Sequence, residues 1–144
     1  MKFRVIGTIR FLRLPAFRIT PAALREARRL NCRKCVQGAA DKGIISYEFD
    51  LRYDPTVIQP LPVPVDITGT VSIGLVALVN AKEPGLLRVV VYGPLPIDEN
   101  GVLLNLRFTA VGKAGSVSPL SFERMMFNEG EPLVSVSDGH VELF

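Results

Sequence analysis

From Gly43 to Pro55 the chain reads GIISYEFDLRYDP, and this stretch constrains the fold more than any other. Ile45, Tyr47, Phe49, Leu51 and Tyr53 alternate with Ile44, Ser46, Glu48, Asp50 and Arg52. A period of two places one set on each side of an extended strand, which excludes a helix here. Tyr, Phe and Ile suit a half-buried pleated surface, and Asp54-Pro55 ends the strand in a turn. The expectation is a sheet strand with an apolar underside and an exposed row of Ser46, Glu48, Asp50 and Arg52. That row is the candidate binding site of the chain, because no other segment reads as a reaction centre.

The remainder of the second half is built from the same material. Pro60, Pro62 and Pro64 remove three ladder donors from Val57–Val65, so that segment is an edge or a loop rather than a central strand. Thr70–Asn80 is β-rich, with a bend at Gly74. Glu83-Pro84-Gly85 is a turn into Leu86–Tyr92, which is apolar at nearly every residue and therefore expected to be covered on both sides. Asp98–Gly101 turns into Val102–Val111, where Val102, Leu104, Leu106, Phe108 and Ala110 share one face. Leu120–Phe127 and Leu133–Val136 are further short strands, and Asp138-Gly139 turns into a last strand, His140–Phe144. Short strands between turn residues predict an all-β, antiparallel, jelly-roll-like β-sandwich over residues 43–144.

Charge divides the chain. Residues 1–42 carry 11 Lys and Arg against 2 Asp and Glu, net +9, whereas residues 43–144 carry 6 against 12, net −6. The first 42 residues therefore read as a separate basic leader. Within it, residues 3–11 alternate as a strand. Residues 21–31 have helical spacing at Leu24, Ala27 and Leu30, with Thr20 as N-cap and Pro21 at the first helical position. Arg10 and Arg13 interrupt what would be the apolar core of a signal peptide, so none is assigned. No apolar run approaches the 18 residues a membrane helix needs.

At this point the residues resemble a cohesin domain, the jelly-roll module that binds dockerins in cellulosome assembly. GIISYEFDLRYDP resembles that family's strand with its YDP ending. Asn100–Phe108 (NGVLLNLRF) resembles the strand opened by an Asp-Gly-Val signature, and Ser137–Leu143 (SDGHVEL) resembles the closing strand. The match runs from about Gly43 to Leu143 in the family's order. It implies a non-catalytic protein-binding module, no cofactor, and a dockerin-type partner or an extracellular or cell-surface glycan assembly for polysaccharide breakdown. It also implies that Ser46, Glu48, Asp50 and Arg52 face a partner helix. A cohesin begins with two strands before the YDP strand, and nothing in residues 1–42 reads as that pair. An Arg-rich leader joined abruptly to an acidic domain is what an out-of-frame or mis-assigned start would produce.

Other chemistries find no footing. Cys32 and Cys35 form one CxxC, and zinc would need two more ligands, with His140 the only histidine, at the far end of the chain. No Ser–His–Asp set, DxDxDG loop or Gly-rich phosphate loop is legible. The basic segment Arg25–Lys34 lacks interleaved aromatics and a companion helix, so nucleic acid is not expected. The alternative function is a carbohydrate-binding or structural β-sandwich of a surface protein. Sugar binding usually wants exposed aromatics, and the absence of Trp argues against it.

Overall fold

The computed structural model describes residues 29–39 and 41–143. Among them eight strands form: β1 (Arg29–Val36), β2 (Ile44–Arg52), β3 (Ile58–Asp66), β4 (Val76–Asn80), β5 (Leu86–Ile97), β6 (Gly101–Ala110), β7 (Val117–Phe127) and β8 (Gly139–Glu142). They make two sheets, β1-β6-β3 and β4-β5-β2-β7-β8, with every pairing antiparallel. This is the all-β jelly-roll-like sandwich that the alternating pattern implied.

The core lies between the sheets and is filled from inward positions of period two. β2 contributes Tyr47, Phe49 and Leu51, β5 Leu87, Val89 and Val91, and β6 Leu104, Leu106 and Phe108. Rings meet edge to face across adjacent strands, Tyr47 with Phe127 at 6.2 Å and Phe49 with Phe122 at 5.5 Å. The Tyr47 hydroxyl shares a 2.8 Å hydrogen bond with Ser72 Oγ and donates to the Leu103 carbonyl at 3.3 Å, tying β2 to the opposite sheet. Burial pushes this phenol well above its ordinary pKa.

The YDP ending of β2 is explained by hydrogen bonds. Asp54 Oδ1 accepts from Thr56 N at 2.8 Å and Thr56 Oγ1 at 2.6 Å, while the Asp54 carbonyl accepts from Val57 N and Ile58 N. Those bonds, led by the Thr56 hydroxyl, hold the Asp54 carboxyl below its usual range. Tyr53 N donates to the Gly85 carbonyl at 3.0 Å. Gly85 has φ +83°, and a Cβ there would sit 3.1 Å from the Tyr53 oxygen, so the Glu83–Gly85 turn requires glycine.

Three expectations are corrected. The helix read over 21–31 does not extend through Arg29–Asn31, which open β1; positions 21–28 and the strand read at 3–11 lie outside the described residues. β1 pairs with β6 from Arg29↔Thr109 to Val36↔Gly101, so the sandwich takes in residues that the charge boundary assigned to the leader. The reason is a period of two: Leu30, Cys32, Lys34 and Val36 point inward, and a lysine at one of those positions hides the pattern. Second, Leu86–Tyr92 is not covered on both sides, and its strand continues through Gly93–Pro96 to Ile97. Third, Leu133–Val136 forms no ladder and carries a single bridge at Ser135. β3 is an edge strand, as its prolines require.

Lys34 is the anomaly of this core. Its side chain is 4% exposed, its Nζ has no hydrogen-bond partner among the described residues, and it lies 5.2 Å from the centroid of the Phe122 ring. Burial lowers its pKa from 10.5 to about 8, against the opposing pull of Cys32, Asp138 and Cys35. A lysine whose pKa falls on folding is held more strongly by protons in the unfolded chain. The penalty is therefore full below pH 8 and disappears as pH rises toward 10.5. We expect Lys34→Met to stabilise the domain at pH 7 by about 2–3 kcal/mol, net of the ring contact, and to abolish the rise in wild-type stability across that window. Urea unfolding at several pH values checks both. Tyr47→Phe should cost about 2 kcal/mol, because it leaves the buried Ser72 hydroxyl and Leu103 carbonyl without their partner. A shifted urea midpoint with an unchanged slope is the expected readout.

Candidate partner-binding face

The outer face of the five-stranded sheet is arranged in rows that cross four strands. Val76 on β4 and Ser46 on β2 both pair with Tyr92 on β5. Leu78, Val90, Glu48 and Met126 make the next row, and Asn80, Arg88, Asp50 and Arg124 the third. Arg52 follows at the end of β2, beside Glu123 of the β7 bulge. The predicted residues Ser46, Glu48, Asp50 and Arg52 thus share one face, placed at its centre by the central strand β2.

Their charges are not free. Glu48 pairs with Arg124, Asp50 with Arg88 at 3.7 Å, and Arg52 with Glu123 at 2.7 Å and Glu83 at 3.2 Å. Hydrogen bonds that Arg52 donates to Glu123, then to Glu83, hold its guanidinium above its already high pKa. A shallow depression lined by Glu48, Asp50, Arg88, Val90 and Arg124 lies over the second and third rows. The charged strip is a lattice of mutual pairs, so its field is short-ranged and its geometry ordered.

Beside the strip lies an apolar corner that sequence reading missed. Val76, Leu78, Val90 and Tyr92 are 49%, 55%, 37% and 45% exposed and adjoin one another in two rows. An exposed apolar patch rimmed by charge is a candidate interaction surface. In LLRVVVY the one signal of exposure within β5 was Arg88, which shares its side of the strand with Val90 and Tyr92. The short apolar β4 beside it, Val-Ala-Leu-Val-Asn, was the available hint.

Elsewhere the chemistry is structural. Asn128, with φ +46°, accepts from Ile45 N and Ser46 N and donates to the Gly43 and Glu131 carbonyls, fixing the start of β2. Asp138 Oδ1 accepts from Phe122 N at 2.9 Å. Both cysteines are free thiols. They stand three residues apart on an extended strand, roughly 10 Å, beyond disulfide reach. Burial raises the Cys32 thiol pKa, with the Lys34 charge pulling the other way. Lys34 points inward and Arg29 and Arg33 outward from a strand, so the basic helix read over Arg25–Lys34 does not exist as such in its described part. His140 is exposed at the start of β8. Among the described residues no group of three or more His, Cys, Asp or Glu is placed to hold a metal. No helix in that part is long and apolar enough to cross a membrane.

A two-sheet sandwich offering a flat, open sheet face rather than a cleft has the form of a binding module. The cohesin domain model matches residues 35–142, and the chain belongs to the cohesin domain family, a family of protein-binding modules. No curated protein matches the chain in sequence. Among solved structures, the sixth cohesin of scaffoldin B from Acetivibrio cellulolyticus, in complex with a mutant Cel5 dockerin, superposes with TM-score 0.64 at 22% identity. That alignment covers 81% of this chain and 89% of that one. The cohesin module of a family 33 glycoside hydrolase from Clostridium perfringens gives 0.65 at 15% identity, over 80% and 84%. A non-cellulosomal cohesin from the archaeon Archaeoglobus fulgidus gives 0.63 at 16%, over 81% and 80%. At these identities the superpositions speak for the fold alone.

Because the ion pairs on the face are exposed, they contribute little to folding. The double substitution Glu48→Ala with Arg124→Ala should shift stability by less than about 1 kcal/mol, measured by thermal unfolding.

Proposed function

We propose that the outer face of the five-stranded sheet docks a dockerin-type helical module, without a catalytic role for the chain. The observation that carries this reading is the apolar corner of Val76, Leu78, Val90 and Tyr92 set directly against the paired rows of Glu48, Asp50, Arg88 and Arg124. A helix laid across the strands would bury its apolar stripe on the corner. Its polar flank would then exchange hydrogen bonds with Ser46, Glu48, Asp50 and Arg52. Burial supplies most of the affinity in such an interface, and rim charges mainly set specificity and association rate. The core rings under β2 keep the platform rigid, so little ordering cost is incurred on binding. Family membership supports the class of partner, as does the dockerin complex of the similar Acetivibrio cellulolyticus cohesin. By the same family context, the setting we propose is an extracellular or cell-surface assembly for polysaccharide breakdown.

The test is titration calorimetry of the full chain against a panel of dockerin-bearing proteins. Leu78→Asp should weaken the complex by about tenfold or more, and Glu48→Arg by a smaller factor that grows at low salt. Both side chains are on the surface, so circular dichroism should be unchanged. Wild-type affinity in both variants would exclude this face.

A further inference from the structure

An open sheet ends in edge strands, whose outward N–H and C=O groups accept another strand unless something blocks it. The two sheets have four edges, β1, β3, β4 and β8. β3 is blocked by Pro60, Pro62 and Pro64, and its register breaks between Pro60 and Val65. β8 is only four residues long. β1 carries Arg29, Arg33 and Lys34, and its register shifts between Lys34 and Cys35. β4 has none of these guards. It reads VALVN, without charge, proline or glycine, and pairs in unbroken register with β5 from Val76↔Tyr92 to Asn80↔Arg88. Every second residue of β4 turns its N–H and C=O away from β5, and no other strand among the described residues bonds to them. Val79 shows the same gap from within. It stands with Ala77 on the core side, opposite buried Val89, yet is 36% exposed because the sheet ends beside it.

We infer that β4 is the contact edge of a homodimer, pairing antiparallel with β4 of a second copy across a two-fold axis at Leu78. The occupant is a second copy because the strand is complementary to itself. About that axis Leu78 lies opposite its own counterpart, Ala77 opposite Val79, and Val76 opposite Asn80, so no charge meets a like charge. A slip of one residue would set outward side chains against inward ones, whereas this register keeps Ala77 and Val79 on the core side in both copies. Each Val79 is then covered by Ala77 of the other copy. The pairing also brings the Val76 end of each strand beside the Asn80 end of the other. Exposed Ile73 precedes the first end, and an open depression lined by Asn80, Lys82, Glu83, Leu86 and Arg88 adjoins the second. Projection and hollow are thus repeated by symmetry. An isologous contact uses up both edges, so assembly closes at two chains. The two larger sheets become one, and the apolar corners meet through Leu78 of each copy. The inference concerns the sheet edge and stands whether or not the partner on the broad face is a dockerin.

Sedimentation equilibrium of the full chain over a wide concentration range tests it, and a reversible monomer–dimer equilibrium with no larger species is expected. Val79→Lys puts an ammonium into the seam and leaves Val76, Leu78, Val90 and Tyr92 untouched. It should weaken the dimer by about tenfold or more. Val63→Lys adds the same charge at an exposed position of β3 and should leave the dimer unchanged. Cross-linking checks the register in a Cys35→Ser background. Leu78→Cys should form an interchain disulfide under mild oxidation, because residues directly opposite on antiparallel strands lie within disulfide reach. Val76→Cys should not, since its counterpart lies roughly 13 Å away along the strand. Circular dichroism should be unchanged in every variant. A monomer at every concentration, assembly beyond two chains, an undiminished dimer in Val79→Lys, or equal cross-linking of the two cysteine variants would each overturn the inference. None of these measurements uses a dockerin, so their outcome is separate from that of the docking titration.

Discussion

The inward row of β2 holds this sandwich together, and the Tyr47 hydroxyl is its most exacting member. β2 is the middle strand of the larger sheet, hydrogen-bonded to β5 on one side and β7 on the other. Beneath it, Tyr47 reaches the other sheet through the Leu103 carbonyl and the loop before β4 through Ser72. Apolar contacts alone would let two sheets slide, since the hydrophobic effect has no direction. A buried, satisfied hydroxyl between them defines one relative placement, because any shift leaves polar atoms unpaired in a dry interior. The outward row of the same strand is thereby held at the centre of the exposed face.

The two faces of the molecule differ because their strands differ in what alternates with the core positions. On the five-stranded sheet, outward positions combine apolar side chains on β4 and β5 with carboxylates and arginines on β2 and β7 that neutralise one another. On the three-stranded sheet, outward positions are arginines, amides and a threonine, with one carboxylate already engaged. Apolar surface bordered by balanced charge favours a protein partner.

Legibility in the sequence followed how cleanly a strand alternates. β2, β6 and β8 could be read because each has one apolar and one polar side. β1 could not, since Lys34 occupies an inward position and Arg29 and Leu30 also fit helical spacing. That lysine is tolerated where Phe122 faces its ammonium and burial lowers its proton affinity, circumstances that no local window reveals. β5 was misread because valines stand on both sides and outweighed Arg88, the one charged residue marking the side that meets water. The loop after β7 has strand-forming residues at Leu133–Val136 but, among the described residues, only the single bridge at Ser135 and no ladder. Strand propensity without a partner does not make a strand.

The sequence by itself determined that Ser46, Glu48, Asp50 and Arg52 lie on one side of a strand and Tyr47, Phe49 and Leu51 on the other, because a period of two is a local property of extended backbone. It also determined the turns at Asp54-Pro55 and Glu83–Gly85, and by motif the family, whereas at Asp138-Gly139 irregular backbone rather than a tight turn leads into β8. Only the tertiary structure decided which strands became neighbours. It therefore also decided that Glu48 meets Arg124 and Asp50 meets Arg88, that Val76 and Tyr92 complete an apolar corner, and that residues from Arg29 onward belong to the sandwich. Pairing between strands joins residues tens of positions apart, and its free energy depends on the whole core closing at once, so no short stretch of chain encodes it alone.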